Sequence, residues 1–276
     1  MLEANAPYLI SLDPDSPWLP APVSPTLSKD EIHVWRGHLD GAQSRAESLR
    51  GTLAPDEMER ADRFRFLEDR DRFIVARGLL RAILGRYLNA SPEQLQLCHG
   101  PCGKPALAAQ SGAEKIHFNV SHSNDLALYA IARERRVGID VEYVRPIPEA
   151  SQIVERFFSA REKAVFRAVS PDKQVEAFFR CWTHKEAYVK AQGQGLTLTL
   201  DRFDVPVAPG GPANLPHVDG DLNEASRWSL YELSPAPGYA AALAAEGCGW
   251  GLSRWQWAGC DVEEAVCGTR TASASG

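Results

Sequence analysis

The chain reads as α+β, a pseudo-dimer of two similar α+β subdomains packed face to face, and three observations lead there. A long helical stretch followed by a strand pair occurs over 59 to 132 and again over 154 to 245. The period, about 110 residues, is too long for a solenoid unit and suits two whole subdomains. The 276 residues, 44% hydrophobic and 24% charged, are enough for one good core or two smaller ones.

The elements follow in order. Residues 1 to 28 are rich in proline and lack periodicity, so they are expected to form an extended arm. The first subdomain is placed at 29 to 136. Its stretch ERADRFRFLEDRDRFIVARGLLRAILGRYL (59 to 88) predicts a long helix, and FNVSHSNDLALYAIA (118 to 132) predicts two strands turning at Asn124-Asp125. The junction falls near Arg133 to Val137. The second subdomain, 137 to 246, then opens on Gly138-Ile139-Asp140-Val141-Glu142 as a strand. Ser159-Ala160-Arg161-Glu162 fits a capping box, and Ser170-Pro171 predicts an N-cap with proline at the first helical position. That helix is expected to run from Pro171 to about Gly193, with Gly193 and Gly195 as its stop. WSLYELSPAPGYAAALAA (228 to 245) is the second hairpin. An extension over 247 to 276, with Cys248, Cys260, Cys267 and three tryptophans, stands outside the repeat, and its small, polar tail after 268 is expected to fray.

Composition excludes several classes. A formal charge of −6 and a pI near 5.7 argue against a general nucleic-acid binder, which needs Lys and Arg to neutralise phosphates. No run approaches the roughly 20 apolar residues of a membrane helix. The first residues lack a basic region followed by an apolar one, so a cytoplasmic protein without membrane or nucleic-acid partners is expected, as a monomer. The six cysteines are scattered over a chain too long to need disulfide staples and are read as reduced thiols. Cys98-His99-Gly100-Pro101-Cys102 lacks a second ligand pair at zinc-finger spacing.

Chemistry is read from spacing. Positions i and i+2 of a strand share a face, so Asp140 and Glu142 stand side by side while Ile139 and Val141 point the other way. Such a pair is either two solvent-facing acids on an edge or a site for a cation, for which Mg²⁺ suits carboxylates, waters and phosphate oxygens. On the second-half helix Val175, Phe178, Phe179, Trp182 and Val189 form one apolar stripe. Glu186 interrupts the stripe, with Lys190 one turn on. Either these two form a simple i, i+4 pair, or the helix brings Glu186 to Asp140 and Glu142 around one ion. Ser121-His122-Ser123 and Gly103-Lys104-Pro105 read as turns by default but also offer donors and an amine. Arg77 interrupts the apolar set Ile74, Val75, Leu79, Leu80 and Ile83. Cations in the first half and acids in the second would suit a polyphosphate with Mg²⁺ across the seam.

The order Gly103-Lys104-Pro105, F-N-V-S-H-S (118 to 123), G-I-D-V-E (138 to 142) and W-T-H-K-E-A-Y-V-K (182 to 190) resembles the surfactin-type 4'-phosphopantetheinyl transferases. The resemblance covers roughly residues 30 to 245. It implies a pseudo-dimeric fold with the active site between the halves, and Mg²⁺-dependent transfer of phosphopantetheine from coenzyme A to a serine of an apo acyl or peptidyl carrier protein, leaving 3',5'-ADP. By motif, Asp140, Glu142 and Glu186 are similar to the family's metal ligands. Glu186 also resembles the group that deprotonates the carrier serine, and Lys190 the one that stabilises the departing phosphate oxygen. Ser121, His122, Lys104, Arg77 and Arg60 resemble coenzyme A contacts. The alternative from another class is a non-catalytic module binding coenzyme A or a carrier, which would need no base.

Overall fold

The computed structural model describes residues 15–100, 103–108, 115–193, 199–207, 213–214, 217–218 and 222–257. The first lobe holds β1 (Leu19–Pro20), β2 (Glu31–His38), α1 (Ala42–Leu49), α2 (Pro55–Ala61), α3 (Leu67–Leu88), β3 (Leu97–His99), β4 (Pro105–Leu107), β5 (Ile116–Ser123) and β6 (Leu126–Arg133). The second lobe opens with β7 (Val137–Tyr143), α4 (Ala150–Phe157), α5 (Ala160–Ala168) and α6 (Gln174–Gln192). It continues through β8 (Phe203–Asp204), β9 (Ala213–Asn214), β10 (His217–Val218) and α7 (Leu222–Ser226) to β11 (Trp228–Leu233) and β12 (Tyr239–Glu246), after which the chain returns to the first lobe as β13 (Gly251–Gln256).

Two sheets carry the fold, ordered β1-β13-β2-β6-β5 and β7-β12-β11-β9. Within them β2-β6-β5 and β7-β12-β11 are both antiparallel, and each is built by one strand, a long helix and a hairpin in that chain order. The repeat read from sequence is therefore present in three dimensions. The chain changes sheet between Arg133 and Val137, where Glu134 takes a left-handed φ of 54°.

Layering follows from strand alternation. Trp35, Tyr129 and Ile131 join α3 in one core, while Phe203, Trp228 and Leu230 join α6 in another. The opposite faces of the sheets meet each other, with Ile32, Val34 and Leu128 packed against Ile139, Val141 and Leu243. The order is thus helix, sheet, sheet, helix.

The duplication extends to one buried ion pair in each lobe. Arg81 Nε meets Glu57 Oε2 at 2.6 Å, and its guanidinium also donates to the carbonyls of Pro92 and Leu95. Lys185 Nζ meets Glu162 Oε2 at 2.8 Å and donates to the carbonyls of Leu200 and Phe203. Each glutamate is the third residue of a short helix and accepts the N–H at that helix's start, Ala54 or Ser159. Each cation thereby ties the long helix to the short helix before it and the loop after it.

Several expectations are adjusted. The single helix expected from 59 to 88 is broken into α2 and α3 by a corner at 62 to 66. In an unbroken helix Glu57 and Arg81 would lie about 36 Å apart at 1.5 Å per residue, so the corner is what lets them meet. The helix expected from Pro171 starts as a 3-10 turn over Pro171–Lys173 before α6, and Ser170 makes no side-chain cap. The Ser159–Glu162 capping box is present, and Gly193 ends α6 at φ 73°. Gly195, Cys102, Cys260, Cys267 and the tail after 268 lie outside the described residues.

The extension set apart from the repeat is in part a strand of the first lobe. β13 runs parallel between β1 and β2, and Trp257 is buried in the first core. Part of the arm, Leu19–Pro20, pairs with it. Trp257 lies under the Arg86 guanidinium, 4.0 Å from its ring centre.

Candidate active site

The site is built where α6 crosses β7. A Cβ on Gly138 would stand 2.1 Å from the Ala187 carbonyl oxygen and 2.3 Å from the Ala191 nitrogen, so glycine on the strand and alanines on the helix permit backbone contact. Ile139 and Val141 enter the core between the sheets, which turns Asp140 and Glu142 toward α6. On α6, Trp182, Glu186 and Lys190 are spaced by four and form its half-buried face, while Lys185, Ala187 and Tyr188 are buried.

Asp140 is buried at 4% exposure. Its Oδ1 accepts from Lys190 Nζ at 2.6 Å and from Ser121 Oγ at 2.9 Å, and Lys190 Nζ also lies 3.0 Å from Ser121 Oγ. Its Oδ2 is buried without a hydrogen-bond partner. Burial lifts the Asp140 carboxyl above its ordinary range against the opposing pull of Lys190 and Ser121. Glu142 is raised by burial first and by the Asp140 charge second. Glu186 is raised by burial, then by Asp140, with Lys190 opposing and Glu142 adding. The three acids thus feel one another. Among the described residues, however, no three His, Cys, Asp or Glu side chains already stand as a cation cage. The Lys190 ammonium occupies Asp140 Oδ1, which leaves Oδ2 as the oxygen without a donor.

The first lobe brings the positive charge. His122 is exposed on β5, yet its imidazole is held below the ordinary range, first by lost solvation and then by Lys190, Arg60, Arg77 and Arg72. Those four cations share one neighbourhood with it. Arg77 is 8% exposed, its Nε lies 3.4 Å from Glu57 Oε1, and one terminal nitrogen is buried without a partner. Burial lowers its pKa, with Glu57 opposing and Arg60 and Arg81 adding to the fall. Arg60 is exposed and lies over the Phe73 ring at 5.4 Å.

Two predicted coenzyme A contacts are already engaged with protein. Lys104 Nζ donates to the carbonyls of Val137 at 3.0 Å and Lys190 at 2.7 Å, pinning the β3–β4 turn to the start of β7 and the last turn of α6. Burial, with Arg136 and Lys190 nearby, brings the Lys104 ammonium down to about 8. Ser121 faces Asp140, and its Oγ accepts the Val141 N–H at 3.3 Å. Sequence reasoning passed over Lys185 and Glu162, whose pairing is long-range; the capping box was the one available signal for Glu162. Ser123 was read there only as one of the donors of a turn, and the structure places it on β5, donating to Glu142 at 2.9 Å.

A cavity of about 320 Å³ adjoins Glu142 and is lined also by Pro146, Ile147, Phe178, Phe179 and Trp182 among others. A recess of about 430 Å³ between α1 and the start of α3 contains none of the predicted residues. The acids with Lys190, the cations gathered around His122 and the apolar wall beside Glu142 make up the candidate site.

Comparison with known proteins finds similarity along most of the chain. Residues 136–244 match the 4'-phosphopantetheinyl transferase superfamily, and residues 42–134 match the family described as 4'-phosphopantetheinyl transferase, N-terminal. The chain is 41% identical over 240 residues to the 4'-phosphopantetheinyl transferase HetI of a Nostoc species, covering 87% of this chain and 98% of that protein. It is 29% identical to the 4'-phosphopantetheinyl transferase Sfp of Bacillus subtilis, over 74% of this chain and 87% of that one. It is 32% identical to the human L-aminoadipate-semialdehyde dehydrogenase-phosphopantetheinyl transferase, over 60% of this chain and 57% of that one. With two matched halves, and a relative aligned along nearly its whole length, the chain belongs to the 4'-phosphopantetheinyl transferase superfamily.

Proposed function

We propose that this transferase moves the 4'-phosphopantetheine group of coenzyme A to a serine of an apo acyl or peptidyl carrier protein at the site between β7, α6 and β5, with Mg²⁺ held by Asp140, Glu142 and Glu186. One observation carries the cation reading: Asp140 Oδ2 is buried, lacks a donor and stands beside two further acids. A carboxylate oxygen left so is costly, and neighbouring carboxylates repel. An all-oxygen donor set with phosphate completing the shell suits Mg²⁺. Such an ion, when bound, would neutralise pyrophosphate charge and orient the phosphorus.

The chain's own residues do the rest. The serine oxygen attacks the phosphorus that bears pantetheine, the bond from that phosphorus to the bridging oxygen breaks, and 3',5'-ADP leaves. Glu186 takes the serine proton, directly or through one water. Lys190, close to the acids, supplies positive charge to the leaving phosphate oxygen. Arg60, Arg77 and His122 face the polyphosphate from the first lobe, and positioning with charge neutralisation is most of what phosphoryl transfer requires. The remaining N–H of Lys104 supplements them at the edge, while Ser121, whose proton goes to Asp140, holds that acid instead of the substrate. The apolar wall of Ile147, Phe178 and Trp182 receives the carrier next to Glu142.

The test mixes the purified protein with coenzyme A, Mg²⁺ and several apo carriers, and follows intact mass. Addition of one phosphopantetheine to at least one carrier is expected. No addition to any of them contradicts the reading.

A further inference from the structure

β5 and β7 are edges of different sheets, yet they lie side by side. The bonds between them come from side chains. Asn119 Oδ1 accepts the Ile139 N–H at 2.8 Å, Ser121 Oγ accepts that of Val141 at 3.3 Å, and Ser123 Oγ accepts that of Tyr143 at 3.1 Å. The three acceptors alternate along β5 and therefore share a face, and their donors alternate along β7 in the same way. The β7 N–H groups that a neighbouring strand would satisfy are satisfied by this ladder instead.

Each serine rung has a second function. A hydroxyl has one proton and two lone pairs, so it can accept from the main chain and still donate. Ser121 donates to Asp140 and Ser123 donates to Glu142 Oε2 at 2.9 Å, in both cases the residue preceding the one whose N–H it accepts. The first rung breaks the pattern consistently: Asn119 has no hydroxyl, and the residue preceding Ile139 is Gly138, which has no side chain.

The two acids differ in how firmly they are held. Asp140 is buried and also bonds Lys190. Glu142 is half-buried, and among the described residues Ser123 is its single hydrogen-bond donor. A glutamate has three side-chain torsions to fix, and without a donor its carboxylate is free to swing toward water.

We propose that Ser123 is a positioning residue for Glu142, holding its carboxylate toward Asp140 and Glu186 while anchored on the Tyr143 N–H. The proposal rests on the reading of Glu142 as a cation ligand, and the experiment separates the two. Mn²⁺ binding is titrated by electron paramagnetic resonance, with coenzyme A present, on the wild type and on Ser123→Ala, Ser123→Thr and Glu142→Gln. Melting temperature is followed alongside. Loss of a group that orients a ligand weakens metal binding by about tenfold or more, so Ser123→Ala should do so with little change in melting temperature. Ser123→Thr, which keeps the hydroxyl, should restore most of the affinity. Transfer by Ser123→Ala should be low at limiting Mg²⁺ and recover as Mg²⁺ is raised. If Glu142→Gln weakens Mn²⁺ binding and Ser123→Ala leaves it unchanged, Ser123 is only a rung between lobes and the proposal is overturned. If neither variant weakens it, Glu142 is not a ligand and the proposal falls with the reading it rests on.

Discussion

Glu186 stands half-buried on α6, one turn before Lys190 and within the field of Asp140 and Glu142. Replacing it with glutamine keeps its shape and removes its basicity. Glu186→Gln is expected to reduce turnover by about 10² or more, as for loss of a general base, while coenzyme A binding weakens only modestly. Single-turnover transfer and calorimetric binding of coenzyme A check the two halves of that statement. Its neighbour Lys185 has a different task. It is fully buried on Glu162, and removing one partner of such a pair typically costs about 3–5 kcal/mol because the other charge is left uncompensated. Lys185→Met should lower the urea midpoint accordingly, and the double variant Lys185→Met with Glu162→Gln should recover part of the loss. At this scale local pattern was legible: period two turned Asp140 and Glu142 away from Ile139 and Val141, and the interrupted stripe marked Glu186 and Arg77. Partners remote in sequence were not. Nothing near Lys185 announces Glu162, just as nothing near Arg81 announces Glu57.

The contact that defines the site between elements is β7 against α6, and Gly138 sets its distance. Gly138→Ala places a methyl into main-chain atoms of Ala187 and Ala191, which are not flexible tips, so the helix must move off the strand. We expect a loss of about 1–3 kcal/mol, as for overpacking, with a larger fall in transfer because Glu186 and Lys190 move with the helix. Denaturant unfolding and kcat/KM for the carrier measure the two effects. The helix–hairpin repeat and the capping box at Ser159 were readable, since each has a local signature, whereas the opening strand β2 was not read. The corner between α2 and α3 was not, because no proline or glycine marks it and the Glu57–Arg81 pair that it permits joins residues remote in sequence. β13 was missed for a related reason: a parallel strand far along the chain has no turn to name its partner.

In the whole molecule the two sheets meet through an apolar core, and charged clasps fasten the ends of the strands. Glu246 at the end of β12 binds Arg136 beside β7 and Arg227 beside β11, and these two, Arg136 first, hold its carboxyl down near 2. A depressed carboxyl stabilises the fold above its unfolded range near 4.5, and that contribution fades as pH falls through about 2. Glu246→Gln should therefore melt below the wild type at pH 7, and the gap should close between about pH 4.5 and 2. A gap that persists at pH 2 would assign the effect to packing instead. The molecule is also unequal in its two halves: the β7 edge carries acids against the β5 serines, whereas the corresponding edge, β2, is covered by β13. The acids of this one seam carry the central claim. It is tested most directly by intact-mass analysis of an apo carrier incubated with coenzyme A and either the wild type with Mg²⁺, the wild type with EDTA, or Glu186→Gln with Mg²⁺. The account predicts one added phosphopantetheine in the first reaction and almost none in the other two, and full conversion in either of those would contradict it.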